Sequence, residues 1–232
     1  MNTQTQTLIM QLVRNPTSYS KLKGFETCPR QHYELEIAKS TIREPSQQLE
    51  EGEKVHAALA AALQSFEPIA VEEYARYQHW VDRIQAVKGK RFVECKWGLT
   101  DNLKPCSFFS PAVWLRIVVD AAVVNGPVGI AIDWKTGRSE NVKDDTQLIL
   151  TALVMFANFQ SLQRVRCDYI WLAENRKTTL VLDRNEADDK WDELLPRFEK
   201  LDRAIAENDW PAKPNYLCKR WCPVKSCPHN GR

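Results

Sequence analysis

The chain has 232 residues, of which 44% are hydrophobic and 27% charged, and its formal net charge is +2. This composition is ordinary for a globular protein of one sizeable domain. No stretch approaches the ~18 apolar residues of a membrane-spanning helix, and residues 1–10 lack the charged and apolar regions of a secretory signal. A charge this small does not by itself indicate nucleic-acid binding, which would need local clusters of basic residues.

The cysteine content also excludes a class of protein. Seven cysteines, an odd number, in a chain of this length do not fit a disulfide scaffold. We therefore expect a cytoplasmic chain with reduced thiols, some of them structural and some available for a metal or cluster site.

The first part of the chain is predicted to be helical. Ser18 or Ser20 is suited to cap a short helix, and Pro29 is typical of the first position of a second one. Apolar residues at spacings of three and four then predict helices over residues 47–66 and 71–87.

The second half alternates between strand and helix patterns. β-Branched apolar runs predict three consecutive antiparallel strands over residues 91–97, 112–124 and 128–135, with a turn at residues 125–127. An almost wholly apolar helix is expected at 143–160, two strands at 165–173 and 178–182, and an amphipathic helix at 191–205. Pro196 predicts a kink or a late start in that last helix. The order predicts a mixed α/β sheet rather than an alternating doubly wound fold.

Charged residues interrupt two of the apolar strands. Asp133 and Lys135 are two apart, so both side chains lie on one face of their strand, and Asp120 stands alone in the preceding strand. If the two strands pair as a hairpin, Asp120 and Asp133 approach each other. Two facing carboxylates suit Mg²⁺ or Mn²⁺, which would activate a water near a phosphodiester. Lys135 would then hold the attacking hydroxide or stabilise the charge on the phosphate.

Each of these residues also has a structural interpretation. Asp133 and Lys135 on their own fit a buried ion pair. His56, on the apolar stripe of the helix at 47–66, fits a core histidine as well as a ligand. Gln147, near the start of the apolar helix, fits an amide that binds a loop. Glu94, alone on the strand before Asp120, is interpreted as a surface residue, although it is placed to approach the site.

The cysteines form a second group of candidate ligands. Three lie within ten residues near the C-terminus and one lies far upstream, and together they are Cys28, Cys218, Cys222 and Cys227. Four thiols are enough for an iron–sulfur cluster or a structural Zn²⁺, and His229 is an alternative zinc ligand. The remaining three are isolated and are interpreted as small core residues: Cys95, Cys106 and Cys167.

The order of these motifs resembles a known family. The segment 18–33 is similar to a signature S-x-S-x-L-x-x-F-x-x-C-P followed by a tyrosine, and Gly52 to His56 is similar to a G-x-x-x-H helix motif. Further matches are Asp120, the I-D-x-K-T-G run at 132–137, and the Q-L pair at 147–148. Together they resemble the RecB-type branch of the PD-(D/E)XK nuclease superfamily in its iron–sulfur members, such as the nuclease domain of AddB and the CRISPR-adaptation exonuclease family.

The resemblance implies a fold and a set of functional residues. The fold would be a restriction-endonuclease-like mixed central sheet flanked by helices, with the N- and C-terminal segments joined at a cysteine cluster. Residues 1–232 would form a single nuclease domain with the catalytic core sheet at 88–185, and 17–45 and 211–232 would form a cluster-binding subdomain. The implied metal ligands are His56, Asp120, Asp133 and the Trp134 carbonyl. Lys135 would be catalytic, with Gln147 as an accessory site residue.

The resemblance also implies cofactors. Cys28, Cys218, Cys222 and Cys227 would hold a [4Fe–4S] cluster, and Mg²⁺ or Mn²⁺ would occupy the catalytic site. One departure from the family pattern bears on this: the C-terminal spacing is C-x3-C-x4-C rather than C-x2-C-x5-C, which keeps structural Zn²⁺ as an alternative. A second departure concerns the substrate: Thr151 stands where the family often has a tyrosine, so DNA contact is not expected at that point.

The expected function is a metal-dependent DNA exonuclease that prefers ends or single strands and is largely sequence-independent. Basic residues near both cysteine segments could contact phosphates, and aromatic residues there, such as Phe25, Tyr216 and Trp221, could stack on bases or pack around the cluster. Alternatives are a catalytically silent DNA- or partner-binding module, and a zinc-dependent structural protein. The resemblance allows a separate helicase or recombination partner, an oligomer, and a role in repair or recombination in a bacterial or phage-infected cell, away from membranes.

Overall fold

The computed structural model describes residues 16–139 and 144–232. One compact unit is the continuous segment Pro45–Asp188, and a second combines the described residues before Pro45 with Asp189–Arg232. In chain order the helices are α1 (Tyr19–Thr27), α2 (Pro29–His32), α3 (Gln47–Ser65), α4 (Gln78–Gln85), α5 (Thr146–Asn158) and α6 (Ala187–Glu207). The strands are β1 (Lys90–Leu99), β2 (Pro105–Cys106), β3 (Leu115–Asn125), β4 (Val128–Lys135), β5 (Arg164–Trp171) and β6 (Arg176–Asp183). None of the helices in the described ranges is long and apolar enough to cross a membrane.

The six strands form one mixed sheet in the order β2-β1-β3-β4-β5-β6. β4 and β5 are parallel, and the other neighbouring pairs are antiparallel. The three consecutive antiparallel strands predicted from the sequence are confirmed as β1, β3 and β4, and the short strand β2 is an addition at the edge. The predicted mixed α/β fold, a central sheet flanked by helices, is therefore confirmed.

The helix predicted over residues 71–87 is wrong as a single helix. The backbone forms a 3₁₀-helix over Glu72–Tyr77, and only then the α-helix α4. Tyr74 and Tyr77 are both buried. A spacing of three residues keeps both rings on one face of a 3₁₀-helix, which has three residues per turn. Burial of these two rings fits the 3₁₀-helix, but it would also fit an α-helix, in which residues three apart lie on one face as well.

Helix α3 begins and ends with identifiable caps. The Ser46 hydroxyl accepts a hydrogen bond from the backbone N–H of Leu49 at 3.2 Å, which satisfies one of the free donors of the first turn. The helix ends at Phe66, whose φ of 62° is left-handed. The predicted helix at 47–66 is thus confirmed to within one residue, and it carries Gly52 and His56 in its middle.

Helix α5 is buried nearly all round, as its composition predicts. Nine of its thirteen residues are buried. It connects β4 to β5, because two parallel strands need a crossover between them. The predicted first residue, Lys143, lies outside the described residues, and the described helix starts at Thr146.

The two faces of β4 have different neighbours. Ile132 and Trp134 belong to the core that α3 and α4 form against the sheet. Gly129 is on the other face, where the Met155 Cε atom of α5 would lie 2.9 Å from an added Cβ. Because side chains alternate along a strand, Asp133 and Lys135 share the face of Gly129. The strand therefore presents both charged residues towards the side covered by α5.

The second compact unit joins α1 and α2 to most of α6. Ser18 caps α1, and Pro29 occupies the start of α2, as predicted. Helix α6 begins at Ala187, so a late start caused by Pro196 is wrong. The Arg197 guanidinium binds both carboxylate oxygens of Glu26, at 2.6 and 2.8 Å, and this bidentate pair ties α6 to α1.

Candidate active site

The C-terminal end of β4 and the first turn of α5 bring three polar side chains together, and these form a closed triangle of contacts. The Lys135 ammonium lies 2.7 Å from Asp133 Oδ2 and donates to Gln147 Oε1 at 2.9 Å. The Gln147 amide in turn donates to Asp133 Oδ1 at 2.5 Å. Each side chain therefore fixes the other two. The ion pair between Asp133 and Lys135 is present, with side chains 21% and 24% exposed, and it is bound to a third polar group, unlike a pair sealed in a core.

Tyr169 supports the same triangle from β5. Its hydroxyl donates to Gln147 Oε1 at 3.2 Å, and its ring centroid lies 4.7 Å from the Lys135 ammonium. The parallel register pairs Tyr169 with Asp133, which explains how it reaches the site. Tyr169 was not predicted as a site residue, because its only signal in the sequence is a tyrosine in an apolar strand, and the partner of a parallel strand is not set by local pattern.

Asp120 connects β3 to the same end of the sheet. It lies one residue beyond the last residue pair of the β3–β4 hairpin, in which Ala121 pairs with Ile132. Its Oδ2 atom accepts the backbone N–H of Trp134 at 2.7 Å, so the carboxylate is anchored to the neighbouring strand. The predicted approach of Asp120 to the β4 site is thus observed, and the Trp134 carbonyl stays a predicted ligand.

His56 reaches Asp120 from helix α3. Its Nδ1 atom lies 3.3 Å from Asp120 Oδ1. Helix α3 passes close to the loop after β4 at Gly52, where an added Cβ would lie 3.2 Å from Thr136 Oγ1. A glycine at this position lets the helix, and with it His56, approach the end of the sheet.

Glu94 completes a group of three candidate metal ligands. One ligand atom each from His56, Glu94 and Asp120 lie within 4.8 Å of one another, and this is the one such group in the described ranges. An imidazole and two carboxylates form a donor set that fits a divalent cation. Of the predicted ligands, the structure therefore brings together His56 and Asp120, and Asp133 lies outside this compact group. The sequence alone favoured a surface position for Glu94.

The pKa values at the site reflect burial and crowding of negative charge. Burial raises the pKa of Asp133 to about 6, against the opposing effect of Lys135. Burial and the charge of Asp120 raise the pKa of Glu94. Burial opposes the charged form of His56, but its hydrogen bond to Asp120 raises its pKa overall. These shifts describe a site with excess negative charge, which a bound cation would relieve.

A cleft opens beside these residues. It has a volume of about 540 Å³ and lies between α3 and the sheet. Its wall includes His56, Glu94 and Thr136, together with Gly52 and the exposed Glu53. Two of the three candidate metal ligands, His56 and Glu94, therefore face a space large enough for a nucleotide-sized group.

Comparison with known families accounts for this arrangement. The family model of the PD-(D/E)XK nuclease superfamily matches residues 16–228, nearly the whole chain. The chain belongs to the PD-(D/E)XK nuclease superfamily. Members of this superfamily generally use a divalent metal, and the acidic group beside Asp133 and Lys135 fits that requirement.

Two solved structures resemble this superfamily member. One is the Eubacterium rectale protein named "Putative exonuclease", with a TM-score of 0.53 and 13% identity, covering 95% of this chain and 92% of that one. The other is the protein SSO0001, with a TM-score of 0.41 and 16% identity, covering 97% of each chain. At this identity the first likeness concerns the fold alone. No curated protein sequence matches the chain.

The second compact unit of this superfamily member contains the cysteine site. One small pocket is lined by all four cysteines predicted to bind a cluster, Cys28, Cys218, Cys222 and Cys227. His229, the alternative zinc ligand, lines the same pocket. Of the three cysteines interpreted as core residues, Cys167 is fully buried, and Cys95 and Cys106 are half-buried.

Three of the pocket's sulfur atoms accept hydrogen bonds. The backbone N–H groups of Lys213 and Asn215 donate to Cys28 at 3.5 Å and to Cys218 at 3.4 Å. The Gln31 amide donates to the Cys222 sulfur at 3.4 Å. Such donors stabilise negatively charged thiolates and tune the clusters that thiolates hold.

The basic residues near this pocket are partly neutralised. Arg30 lies 2.6 Å from Glu34, and Lys21 lies 3.7 Å from Glu36. Lys21 also lines a cavity of about 430 Å³ with Lys39. The positive charge predicted for this region is therefore smaller than a count of its lysines and arginines indicates.

Proposed function

We propose that this chain is a metal-dependent DNA exonuclease of the RecB-type, iron–sulfur branch of its superfamily. The observation that carries the proposal is the hydrogen-bonded triangle of Asp133, Lys135 and Gln147 beside the ligand group that contains His56 and Asp120. A candidate metal site that includes Asp120 of β3, and an ammonium held on the adjacent strand β4, suit hydrolysis of a phosphodiester.

The proposed chemistry divides between the metal site and Lys135. A divalent cation, when bound at the ligand group, would polarise the phosphodiester and lower the pKa of a bound water. Lys135 is held by Asp133, by Gln147 and over the ring of Tyr169, so its ammonium keeps a fixed position. From there it would orient the attacking oxygen or stabilise charge on the phosphate. None of these groups reads a base, so cleavage would be largely independent of sequence.

The preference for DNA ends rests on the comparison. The Eubacterium rectale protein has "exonuclease" in its name, and it shares the fold over most of both chains. This supports end-directed cleavage as the first hypothesis. Internal nicking of closed circular DNA is the opposite outcome, and a comparison of linear with circular substrate separates the two.

The cysteine pocket supports a bound metal cofactor. All four candidate thiols line the pocket, and hydrogen-bond donors reach three of their sulfur atoms. A [4Fe–4S] cluster takes four thiolate ligands, so Cys28, Cys218, Cys222 and Cys227 are proposed to hold one. Structural Zn²⁺ in the same pocket, with His229 as a further ligand, is the alternative.

Exposed aromatic residues beside the pocket support binding of a single strand. Tyr216 and Trp221 are 80% and 74% exposed, and Lys219 and Arg220 lie between them in the sequence. Exposed rings and nearby positive charge suit stacked bases and phosphates. Phe25, in contrast, is buried and belongs to a small core cluster in this unit, so it packs rather than stacks.

The deciding experiment is a nuclease assay on end-labelled linear DNA, single- and double-stranded, with Mg²⁺ or Mn²⁺ and with protein purified without oxygen. Wild type is compared with Asp133→Ala, and with Asp209→Ala, which removes an exposed carboxylate from the other compact unit. We expect metal-dependent degradation that is lost in Asp133→Ala and retained in Asp209→Ala. A folded wild-type protein that cleaves no DNA would favour the silent DNA- or partner-binding module instead.

A further inference from the structure

Glu94 interrupts the pairing of two otherwise regular strands. Its neighbours Val93 and Cys95 pair with Ala121 and Val119 of β3. The step between these two pairs would set Glu94 opposite Asp120, and Glu94 has a left-handed φ of 51° there. This conformation is uncommon for a glutamate in a strand. Residues in such conformations are concentrated at functional sites, where surrounding contacts maintain them.

The Glu94 carboxylate is available for a ligand. It is half-buried in the wall of the 540 Å³ cleft, close to His56 and Asp120. Among the described residues, no hydrogen bond or ion pair reaches its oxygens. A half-buried carboxylate without a donor or cation is unfavourable, because it loses part of its hydration without compensation.

The neighbouring carboxylates are already engaged. Both oxygens of Asp133 accept hydrogen bonds, one from Gln147 and one from Lys135. One oxygen of Asp120 accepts the Trp134 N–H and the other faces His56. Of these three carboxylates, Glu94 is therefore the one whose two oxygens have no hydrogen-bond or ion-pair partner among the described residues.

We propose that Glu94 is a protein ligand of the divalent cation, together with His56 and Asp120. This inference rests on the proposed function, because it assigns a ligand to the cation that the nuclease requires. Mg²⁺ and Mn²⁺ prefer about six ligands, mostly oxygen, so water can complete the coordination of a cation held by His56, Glu94 and Asp120. The uncommon backbone conformation then serves to direct this carboxylate at the metal.

The test is direct measurement of Mn²⁺ binding by calorimetry and electron paramagnetic resonance, without DNA. Glu94→Gln preserves the shape of the side chain and removes its charge. Glu53→Gln is the matched control, because Glu53 lines the same cleft and lies outside the ligand group. We expect the Mn²⁺ dissociation constant to rise at least about tenfold in Glu94→Gln, and to stay within about twofold of wild type in Glu53→Gln.

A second variant separates metal binding from folding. Glu94→Gly suits the left-handed backbone and also removes the carboxylate. We expect it to fold, and to lose the rise in melting temperature that Mn²⁺ gives the wild-type protein. Wild-type Mn²⁺ affinity in both variants, or no Mn²⁺ binding by wild type, would overturn the inference. Glu94-dependent Mn²⁺ binding without DNA cleavage would leave the inference standing and reject the nuclease proposal.

Discussion

The ammonium of Lys135 lies 2.7 Å from the carboxylate of Asp133, two residues earlier on the same strand. Strand alternation alone places the two side chains on one face, but not in contact. Gln147 and Tyr169, from the next two elements of the chain, set the distance and hold the ammonium from the other side. The reactive geometry proposed here is therefore a property of three elements, β4, α5 and β5, rather than of the D-x-K motif.

The first prediction concerns Gln147, the residue that binds both members of the pair. In Gln147→Ala, Lys135 and Asp133 remain but lose their common anchor. We expect kcat for DNA cleavage to fall by about 10- to 100-fold, as for other residues that orient a site, with KM changed less than about threefold. Gln160→Ala, in which an exposed glutamine is removed beyond the end of α5, is the control. Equal kcat in both variants would contradict the positioning role.

The second prediction separates the hydroxyl of Tyr169 from its ring. Tyr169→Phe removes the hydrogen bond to Gln147 and keeps the ring beneath Lys135, so we expect a fall in kcat of less than about tenfold. Tyr169→Ala also removes a fully buried ring and should lower the free energy of unfolding by about 3–5 kcal/mol. Steady-state kinetics and urea unfolding measure the two effects. A large catalytic loss in Tyr169→Phe would assign the hydroxyl a more direct part.

The third prediction concerns the metal content expected for the cysteine pocket. Wild-type protein purified without oxygen should contain about four iron and four sulfide per chain, as a [4Fe–4S] cluster requires. Cys222→Ser should lose most of both, because one of four thiolate ligands is removed. Cys106→Ser, a half-buried cysteine on β2, should retain them. One equivalent of zinc without iron would instead support the zinc alternative.

The fourth prediction concerns the exposed aromatic residues near the pocket. Trp221→Ala should weaken binding of fluorescently labelled single-stranded DNA by about tenfold, since stacking on one base contributes about 1–3 kcal/mol. Phe109→Ala is a matched control, because Phe109 is also 74% exposed and lies in the other compact unit. Fluorescence anisotropy with Ca²⁺ in place of Mg²⁺ measures binding without turnover. Equal losses in the two variants would argue against a stacking surface at Trp221.

Local sequence patterns predicted the elements whose structure depends on residues close together in the chain. The β3–β4 hairpin, the cap of α3 and the burial of α5 follow from turn residues and apolar spacing within each segment. The split at Glu72–Tyr77 was not predictable from spacing alone, because helical periods of 3.0 and 3.6 place Tyr74 and Tyr77 on similar faces over so few residues.

The candidate site was predictable where its residues form a motif along the chain. Asp133 and Lys135 can be identified in the sequence because they interrupt an apolar strand. Tyr169 and Glu94 cannot be identified in this way, for two different reasons. The place of Tyr169 at the site depends on which strand pairs in parallel with β4, and that of Glu94 depends on a backbone angle that glutamate rarely adopts. Both are properties of the assembled sheet, and neither leaves a local signature.

The division of the chain into a continuous and a discontinuous unit has a consequence for biosynthesis. The residues of Pro45–Asp188 are contiguous, so all of them leave the ribosome before the other unit is complete. The unit containing Cys28 lacks α6 and three of its four pocket cysteines until residues 189–227 have been translated. Until then Phe25, which packs against Leu201 and Ala204 in the folded protein, has no completed core to enter. The segment that carries α1 is therefore open to aggregation or proteolysis until α6 has emerged.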